Sequence, residues 1–136
     1  MIRWMLAKLG LFSDSDTREQ ELRAKLALCE SPMEEAFLIA ADPILSEYGD
    51  IIPQYQVFHY RVDFAIPDCL IVIEIDGYDW HKTREQLTAD AKRQRALTAA
   101  GWTVIRFTGR EIYAGAANCA AEVARIIVGR SGGGGV

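Results

Sequence analysis

Three acidic residues, Asp63, Glu74 and Asp76, lie within or at the end of strongly apolar segments that are typical of β-strands. Aspartate is a poor strand former, so carboxylates at such positions need an electrostatic or chemical reason. Carboxylate oxygens are the ligands that hard divalent cations such as Mg²⁺ prefer, and a cation held this way can polarise a phosphate and activate water. The alternative for each acid is an ion pair with an arginine or a place on a solvated sheet edge.

The loop between the two acidic strands determines whether these carboxylates meet. Pro67-Asp68-Cys69 interrupts the apolar pattern and predicts an antiparallel hairpin with a short loop, in which Asp68 has only a turn role. A two-residue and a four-residue loop both place Asp63 opposite Glu74, and alternation puts Asp76 on the same face as Glu74. Opposed like charges destabilise a sheet by up to about 1 kcal/mol. We therefore expect a Mg²⁺ or Mn²⁺ centre on this hairpin.

Two helices are predicted before the hairpin. Thr17–Cys29 has apolar residues at helical spacing, and Ser31 begins a second helix with proline at the first position and Glu34 at the third position of a capping box. Asp42-Pro43 is expected to end or kink that helix, because proline disfavours helical geometry in the residue before it.

The remaining helices and strands are predicted from changes in the spacing of the apolar residues along the chain. Gln54–Phe58 is predicted as a third strand of the same meander, and the alanine-rich, charged segment Thr83–Ala100 as a helix closed by Gly101. Trp102–Phe107 is predicted as a strand and Glu111–Val128 as a final helix. The order indicates an α/β fold with a mixed sheet.

Composition narrows the functional class. The 136 residues are 50% hydrophobic and 25% charged, as in an ordinary globular domain. Three widely separated cysteines and two histidines predict neither a disulfide framework nor a structural zinc, so we expect a cytoplasmic protein. The N-terminal apolar stretch, which contains Trp4, is too short to span a membrane. The net charge of −4 requires any nucleic-acid contact to use a local basic surface.

Four motifs in this order resemble a bacterial family of uncharacterised domains related to very-short-patch-repair endonucleases, within the restriction-endonuclease-like superfamily. They are SPMEEAFL, QVFHYRVDFAI, IVIEIDGYDWH and DAKRQRALTAAGWTVIRF, and the similarity runs from about Ser31 to Ile127. The resemblance implies a restriction-endonuclease-like core of order α-β-β-β-α-β and metal-dependent cleavage of DNA. Mismatch recognition is not implied, since the zinc ligands of the repair enzymes are absent.

The resemblance also assigns roles to particular residues. Asp63 and Glu74 resemble the paired metal-binding acids, and Glu34 resembles a helix glutamate that reaches the same metal, although it also suits the capping box with Ser31. The superfamily pattern has a lysine where this chain has Asp76, so Asp76 is either a further ligand or the mark of an altered site. His81 is the candidate general base in its place, with Lys82 as the next candidate.

A local basic surface is predicted beside the metal strand. Its residues lie on or near the helix that follows this strand and near the end of the last strand, and they would contact phosphates without reading sequence. A solvated helix face is the alternative. The predicted phosphate contacts are Lys82, Arg84, Lys92, Arg93, Arg95 and Arg106.

These inferences predict three regions and one activity. Residues 1–30 form an N-terminal helical extension, residues 31–129 a nuclease domain and residues 130–136 a flexible glycine-rich tail. The domain is predicted to be a Mg²⁺- or Mn²⁺-dependent DNA endonuclease or nickase. The alternative is a catalytically weak nuclease-fold module that binds nucleic acid or a protein partner. The N-terminal apolar segment is the candidate contact for a second copy or a protein partner, or a cover for the sheet.

Overall fold

The computed structural model of the protein describes residues 5, 8–10, 13–77 and 82–133, the last three of them by backbone alone. Within these residues, four helices and four strands follow one another in the predicted order, with a 3₁₀ turn at Pro67–Cys69. The predicted α/β fold with a mixed sheet is confirmed. The elements are α1 Asp14–Leu26, α2 Pro32–Leu45, β1 Ile52–Val57, β2 Tyr60–Ile66, β3 Ile71–Asp76, α3 Arg84–Ala99, β4 Thr103–Thr108 and α4 Gly109–Gly133.

Helix α1 begins and ends three residues earlier than the predicted Thr17–Cys29. Ser13 lies in an extended conformation before the helix, and its hydroxyl accepts the N–H of Asp16 at 3.2 Å. This cap satisfies one of the free amides of the first turn and fixes the start of the helix. Leu22 and Leu26 pack against the main core. Trp4 lies outside the described residues, so the roles predicted for the N-terminal segment stay predictions.

Helix α2 carries the first core face. Ser31 caps it by accepting the N–H of Glu34 at 3.2 Å, and Pro32 lies in the first turn, as predicted. Of the two outcomes expected at Asp42-Pro43, the end of the helix is wrong, since the helix continues through Pro43 to Leu45, and the kink stays a prediction. Leu45 is fully buried, and Ser46 N donates to Asp42 O at 3.1 Å. These contacts offset the backbone hydrogen bond that proline removes.

The sheet has the order β1-β2-β3-β4. Strands β1, β2 and β3 are antiparallel neighbours, and β4 runs parallel to β3 because α3 crosses over between them. Ile66 pairs with Ile71 across the turn, which is the four-residue loop considered in the sequence. Strand β1, one edge of the sheet, contains Pro53 followed by Gln54 in a left-handed conformation with φ of 52°. The predicted meander and register are confirmed.

The last two helices complete the crossover and the outer layer. Thr83 and Gln86 form a capping box at the start of α3, and Gly101, with φ of 94°, follows its end as predicted. Helix α4 is interrupted by extended backbone at Gly115 and continues to Gly133. It therefore runs beyond the predicted domain end at residue 129 into the predicted tail. The division into three regions stays a prediction.

Helices α2 and α4 cover one face of the sheet and α3 covers the other. Phe37, Leu38, Phe64, Ile73 and Ile105 belong to the larger core between the sheet and the two helices. A smaller cluster on the α3 face contains Val62, Ala65, Val72 and Leu97. Leu97 is the only residue of α3 that is buried among those described, so this helix meets the sheet largely through polar side chains.

From Gly109 to Arg130, helix α4 is long and apolar enough to cross a membrane, judged by length and composition alone. Ile112, Ala120, Val123 and Ile127 on this helix are buried in the larger core. At these positions the apolar side chains pack within the domain.

Candidate functional site

Asp63 and Glu74 meet where the β2–β3 ladder ends. Backbone pairing between these strands reaches Phe64 and Ile73, and beyond that point the carboxylates replace it. Asp63 Oδ2 accepts the N–H of Ile75 at 2.8 Å, and Glu74 Oε2 accepts the N–H of Asp63 at 3.3 Å. Each acid thus satisfies a backbone donor of the opposite strand. The structure confirms that the two acids face each other.

The pair lies in surroundings that disfavour two negative charges. Glu74 is only 6% exposed. Burial, and then repulsion by Asp63, raises the pKa of Glu74 to about 7, although the positive charge of Arg93 acts in the opposite direction. Burial also raises the pKa of Asp63, against the lowering effect of the hydrogen bond from Ile75. Additional positive charge at this point would favour the ionised form of both acids.

Glu34 approaches the pair from α2 and is 7% exposed. Its Oε2 accepts a hydrogen bond from the Ser31 hydroxyl at 3.1 Å, and its Oε1 accepts one from Gln54 Nε2 at 2.8 Å. The cap at Ser31 is formed, but the reciprocal bond of a capping box goes to the hydroxyl rather than to the Ser31 amide. Burial is the main cause of the raised pKa of Asp63, and repulsion by Glu34 raises it further. Glu34 is therefore an electrostatic neighbour of the acid pair.

A partly buried thiol lies beside the same acids. Burial, and then repulsion by Glu34, Glu35 and Asp63, raises the pKa of Cys29 to about 11. A thiol with such a pKa is protonated near neutral pH and is a poor nucleophile. Cys29 is therefore a packing residue at the margin of the larger core.

Arg93 reaches the acid pair from α3. Its NH2 group donates a short hydrogen bond to Glu74 Oε1 and another to the carbonyl oxygen of Arg61 at 3.1 Å. The side chains of Arg93 and Glu74 are 18% and 8% exposed. This is a largely buried ion pair, and it neutralises one of the two acids.

Asp76 is bonded to a second arginine. Arg106 lies opposite Glu74 on the neighbouring strand β4, and its NH1 contacts Asp76 Oδ1 at 3.3 Å. Its NH2 binds Asp90 at 3.0 Å and its Nε donates to Gln94 Oε1 at 3.1 Å. The three carboxylates expected at one spot are therefore a pair, Asp63 and Glu74, with Asp76 in a separate ion pair. Within the described ranges, no three His, Cys, Asp or Glu side chains form a ligand group for one ion.

The six basic residues predicted to contact phosphate fall into two sets. Arg93 and Arg106 point inward and pair with acids. The others lie before or on the outward side of α3, where Lys82 is half-buried and the remaining three are exposed. His81 lies outside the described residues. The outward set is Lys82, Arg84, Lys92 and Arg95.

Two residues that sequence reasoning missed organise this region. Asp90 is an acid that contacts both inward arginines, Arg106 at 3.0 Å and Arg93 at 3.9 Å. Its spacing of three from Arg93 on a predicted helix places both on one face and was the available signal. Gln54, which binds Glu34, gave no local signal, because its position opposite Asp63 follows only from the β1–β2 register.

A mixed four-stranded sheet between helices, with paired carboxylates at the end of a central hairpin, defines the restriction-endonuclease-like class. The structure is similar to the catalytic domain of the homing endonuclease I-Bth0305I, with a TM-score of 0.54. The match covers 73% of this chain and 96% of that domain at 17% sequence identity, and it supports the fold alone.

The chain belongs to the REase_MTES_1575 family, which matches residues 40–127. The match includes Asp63, Glu74 and Arg93 and begins after Glu34. The predicted membership in a restriction-endonuclease-like family is thereby confirmed.

Two curated relatives are uncharacterised bacterial proteins. One, from Mycobacterium tuberculosis, is 26% identical over 110 residues, which are 76% of this chain and 41% of the relative. The other, from Haemophilus influenzae, is 42% identical over 59 residues, which are 43% of this chain and 36% of the relative. The chain thus spans less than half the length of both.

Proposed function

We propose that this protein is a metal-dependent DNA endonuclease or nickase that hydrolyses phosphodiester bonds. The observation that carries the proposal is the pair of opposed carboxylates, half-buried Asp63 and buried Glu74, at the open end of the β2–β3 hairpin. The restriction-endonuclease-like family and fold support an endonuclease and DNA as its substrate. A relation to very-short-patch-repair endonucleases stays a prediction.

The donor set suits a hard divalent cation. Mg²⁺ commonly takes one or two protein carboxylates and completes its shell with water and phosphate oxygens, so Asp63 and Glu74 are sufficient ligands for Mg²⁺ or Mn²⁺. Glu34 is the next candidate, because its charge already acts on Asp63. When bound, such a cation polarises the phosphate and lowers the pKa of a water. Asp76 would have to leave Arg106 to join the other acids.

The protein's residues perform the other tasks of the proposed reaction. The water oxygen bonds to phosphorus while one phosphorus–oxygen ester bond breaks, the water loses a proton and the departing oxygen gains one. His81 is our candidate for accepting the proton of water, since a neutral imidazole suits a general base. Lys82, Arg84, Lys92 and Arg95 are the candidate phosphate contacts that hold the duplex.

Cleavage of supercoiled plasmid tests the proposal. Wild-type protein with Mg²⁺ or Mn²⁺ is expected to nick or linearise the plasmid, whereas Asp63→Asn and Glu74→Gln abolish this activity, because each loses a ligand charge without losing volume. Glu122→Gln, an equal charge change at an exposed position of α4, is the matched control and is expected to retain activity. Equal cleavage by wild type and Glu74→Gln would show that the activity comes from a contaminant or another site.

A catalytically weak nuclease-fold module is the second candidate. The observation that favours it is the occupation of Glu74 Oε1 by Arg93, together with Asp76 at the position of the motif lysine. Titration calorimetry with Mn²⁺ distinguishes the two. Binding that is lost in Glu74→Gln supports the enzyme, and failure of the wild type to bind Mn²⁺ in both the presence and absence of duplex supports the weak module.

A further inference from the structure

The acid pair needs a cationic group of the protein beside it. Phosphodiester hydrolysis increases negative charge on the phosphate oxygens, and preorganised cations that meet this charge contribute strongly to the rate. The residue two positions after Glu74 is an acid, Asp76, and it cannot supply positive charge. Among the described residues, the basic side chains bonded to acids of this region of the sheet are Arg93 and Arg106.

Every nitrogen of the Arg106 guanidinium donates a hydrogen bond to another residue of the protein. NH1 binds Asp76, NH2 binds Asp90 and Nε binds Gln94, at distances of 3.0 to 3.3 Å. A guanidinium has five N–H donors in a fixed plane, and here each of its nitrogens has a protein acceptor. Arg106 therefore acts as a clamp between β3, β4 and α3.

Arg93 is differently bonded. Both hydrogen bonds found for it within the described part of the chain use NH2, and NH1 has only a 3.9 Å contact with Asp90. The NH2 nitrogen thus binds Glu74 and the carbonyl oxygen of Arg61, while NH1 retains N–H donors for a second anion. An N–H of a charged guanidinium makes a strong, charge-assisted hydrogen bond to a phosphate oxygen.

Helix α3 holds Arg93 in this position. Leu97, one turn later on the same face, is fully buried in the smaller core, and the capping box at Thr83 fixes the start of the helix. Arg93 itself is largely buried, so its side chain has little freedom to leave the site. A charge on a rigid element costs little reorganisation when the substrate arrives.

We infer that Arg93 is a catalytic residue that contacts the scissile phosphate and takes the place of the missing lysine. The inference rests on the proposed nuclease function. Arg93 donates a hydrogen bond from NH1 to a phosphate oxygen and stabilises the charge that develops there, while its NH2 group keeps Glu74 oriented. It keeps all its protons throughout, because a guanidinium is not deprotonated in proteins.

Steady-state cleavage of a short duplex gives the first test. Arg93→Gln is expected to lower kcat by about 10²- to 10³-fold with little change in KM, as when one preorganised donor to a developing charge is removed. Arg93→Lys, which keeps the charge but loses the planar fork, is expected to fall between Arg93→Gln and wild type. Arg125→Gln, the same charge change at an exposed position of α4, is expected to match wild type. Wild-type kcat in Arg93→Gln would overturn the inference.

A measurement that does not need cleavage separates this inference from the proposed function. In ¹⁵N-labelled wild-type protein with Ca²⁺ in place of Mg²⁺, addition of a 12-base-pair duplex is expected to shift the Nε–H resonance of Arg93 and the amides of Asp63 and Glu74. If those amides shift and the Arg93 side chain does not, Arg93 only neutralises Glu74 and the inference fails alone. If none of them shifts, the proposed function fails and this inference fails with it.

Discussion

Each acid near the site has a different environment, and that difference determines its chemistry. Glu74 is buried beside another carboxylate, Glu34 is buried but bonded by three neutral donors, and Asp76 is half-exposed with an arginine. Burial without a fully compensating partner raises the pKa of a carboxyl. Glu74 is therefore the acid whose protonation should affect the whole protein.

The first prediction concerns the pH dependence of stability. The pKa of Glu74 is about 7 in the folded protein and 4.5 in an ordinary environment. A carboxyl whose pKa is raised on folding binds its proton more tightly in the folded state, so its contribution is present below pH 4.5 and is lost as pH rises through about 7. We expect the unfolding free energy of the metal-free protein to fall across this window by on the order of 1 to 3 kcal/mol.

Urea denaturation at several pH values measures this effect. Glu74→Gln carries no titrating proton at this position, so its stability should vary less between about pH 5 and pH 8. A wild-type profile as flat as that of Glu74→Gln would contradict the prediction.

The second prediction concerns Gln54, whose φ of 52° is unfavourable for any residue with a Cβ. Gln54→Ala and Gln54→Gly both remove a hydrogen bond to buried Glu34, which costs about 1 to 3 kcal/mol. Glycine should nevertheless be more stable than alanine by about 1 kcal/mol, the reverse of their usual order within a strand. Chemical denaturation of both variants tests this order, and a more stable alanine variant would show that the strand straightens.

The helices differ in how much of their position depends on apolar packing. Helix α2 buries four apolar residues, Phe37, Leu38, Ala41 and Leu45, whereas α3 buries one. Polar contacts also attach α3 to the sheet: Arg93 binds Glu74 of β3, and Asp90 and Gln94 bind Arg106 of β4. The element beneath the site is thus rigid for apolar reasons. The element that carries the cations is held by buried Leu97 together with the charged contacts of the site.

The third prediction concerns proline at two positions of α2. Pro43 is exposed and lies within the helix, so Pro43→Ala restores a backbone N–H donor. We expect this change to stabilise the protein by about 1 to 2 kcal/mol. The gain is smaller than the cost of a proline in the middle of a helix, because this helix ends soon after Pro43. Pro32→Ala changes the same residue type in the first turn, where the amide needs no helical partner, and should change stability by less than about 1 kcal/mol. Thermal unfolding compares them, and equal effects would refute the positional argument.

The hairpin shows how far the sequence could predict the fold and the site. Asp63 opposite Glu74 was predictable, because both loop lengths compatible with Pro67-Asp68-Cys69 give the same pair. The separation of Asp76 from them was not, because it depends on Arg106 of a strand nearly thirty residues away in the parallel register of β3 and β4. The local sequence pattern determines which residues face each other within a hairpin. Which residues face each other on strands joined by a crossover depends on the order of the strands in the sheet.

The helix ends illustrate the same limit. The start of α2 was predicted from Ser31 and Pro32, since caps are local interactions. Its continuation past Pro43 depends on the burial of Leu45 by the rest of the fold. Arg93 was predicted as a surface contact for phosphate, and only tertiary packing turns it toward Glu74.

At the scale of the whole molecule, the net charge of −4 would oppose a polyanion, whereas the exposed cations on one face of α3 would attract one. Exposed cations on an acidic body give orientation as well as affinity, because phosphates are favoured only where positive charge is concentrated. We therefore expect the outward set to determine how a duplex approaches.

The fourth prediction is the salt dependence of this attraction. Each phosphate contact contributes about 0.9 to the slope of the logarithm of affinity against the logarithm of salt concentration. The double variant Lys92→Gln/Arg95→Gln is expected to lower that slope by about 2. Fluorescence anisotropy of a labelled duplex in Ca²⁺ measures it, with the exposed double variant Arg125→Gln/Arg130→Gln of α4 as the charge-matched comparison. An equal decrease in both proteins would mean that net charge, not this surface, governs binding.

The distortion at the start of β1 has a consequence for the protein in concentrated solution. An edge strand with free amides and carbonyls invites a strand from another molecule, and irregular backbone or proline at the edge discourages this pairing. Pro53 lacks an amide hydrogen and Gln54 turns the backbone out of the extended conformation. The residue that orients Glu34 therefore also makes this edge a poor template for intermolecular β-sheet growth, which lowers the tendency of the folded protein to aggregate.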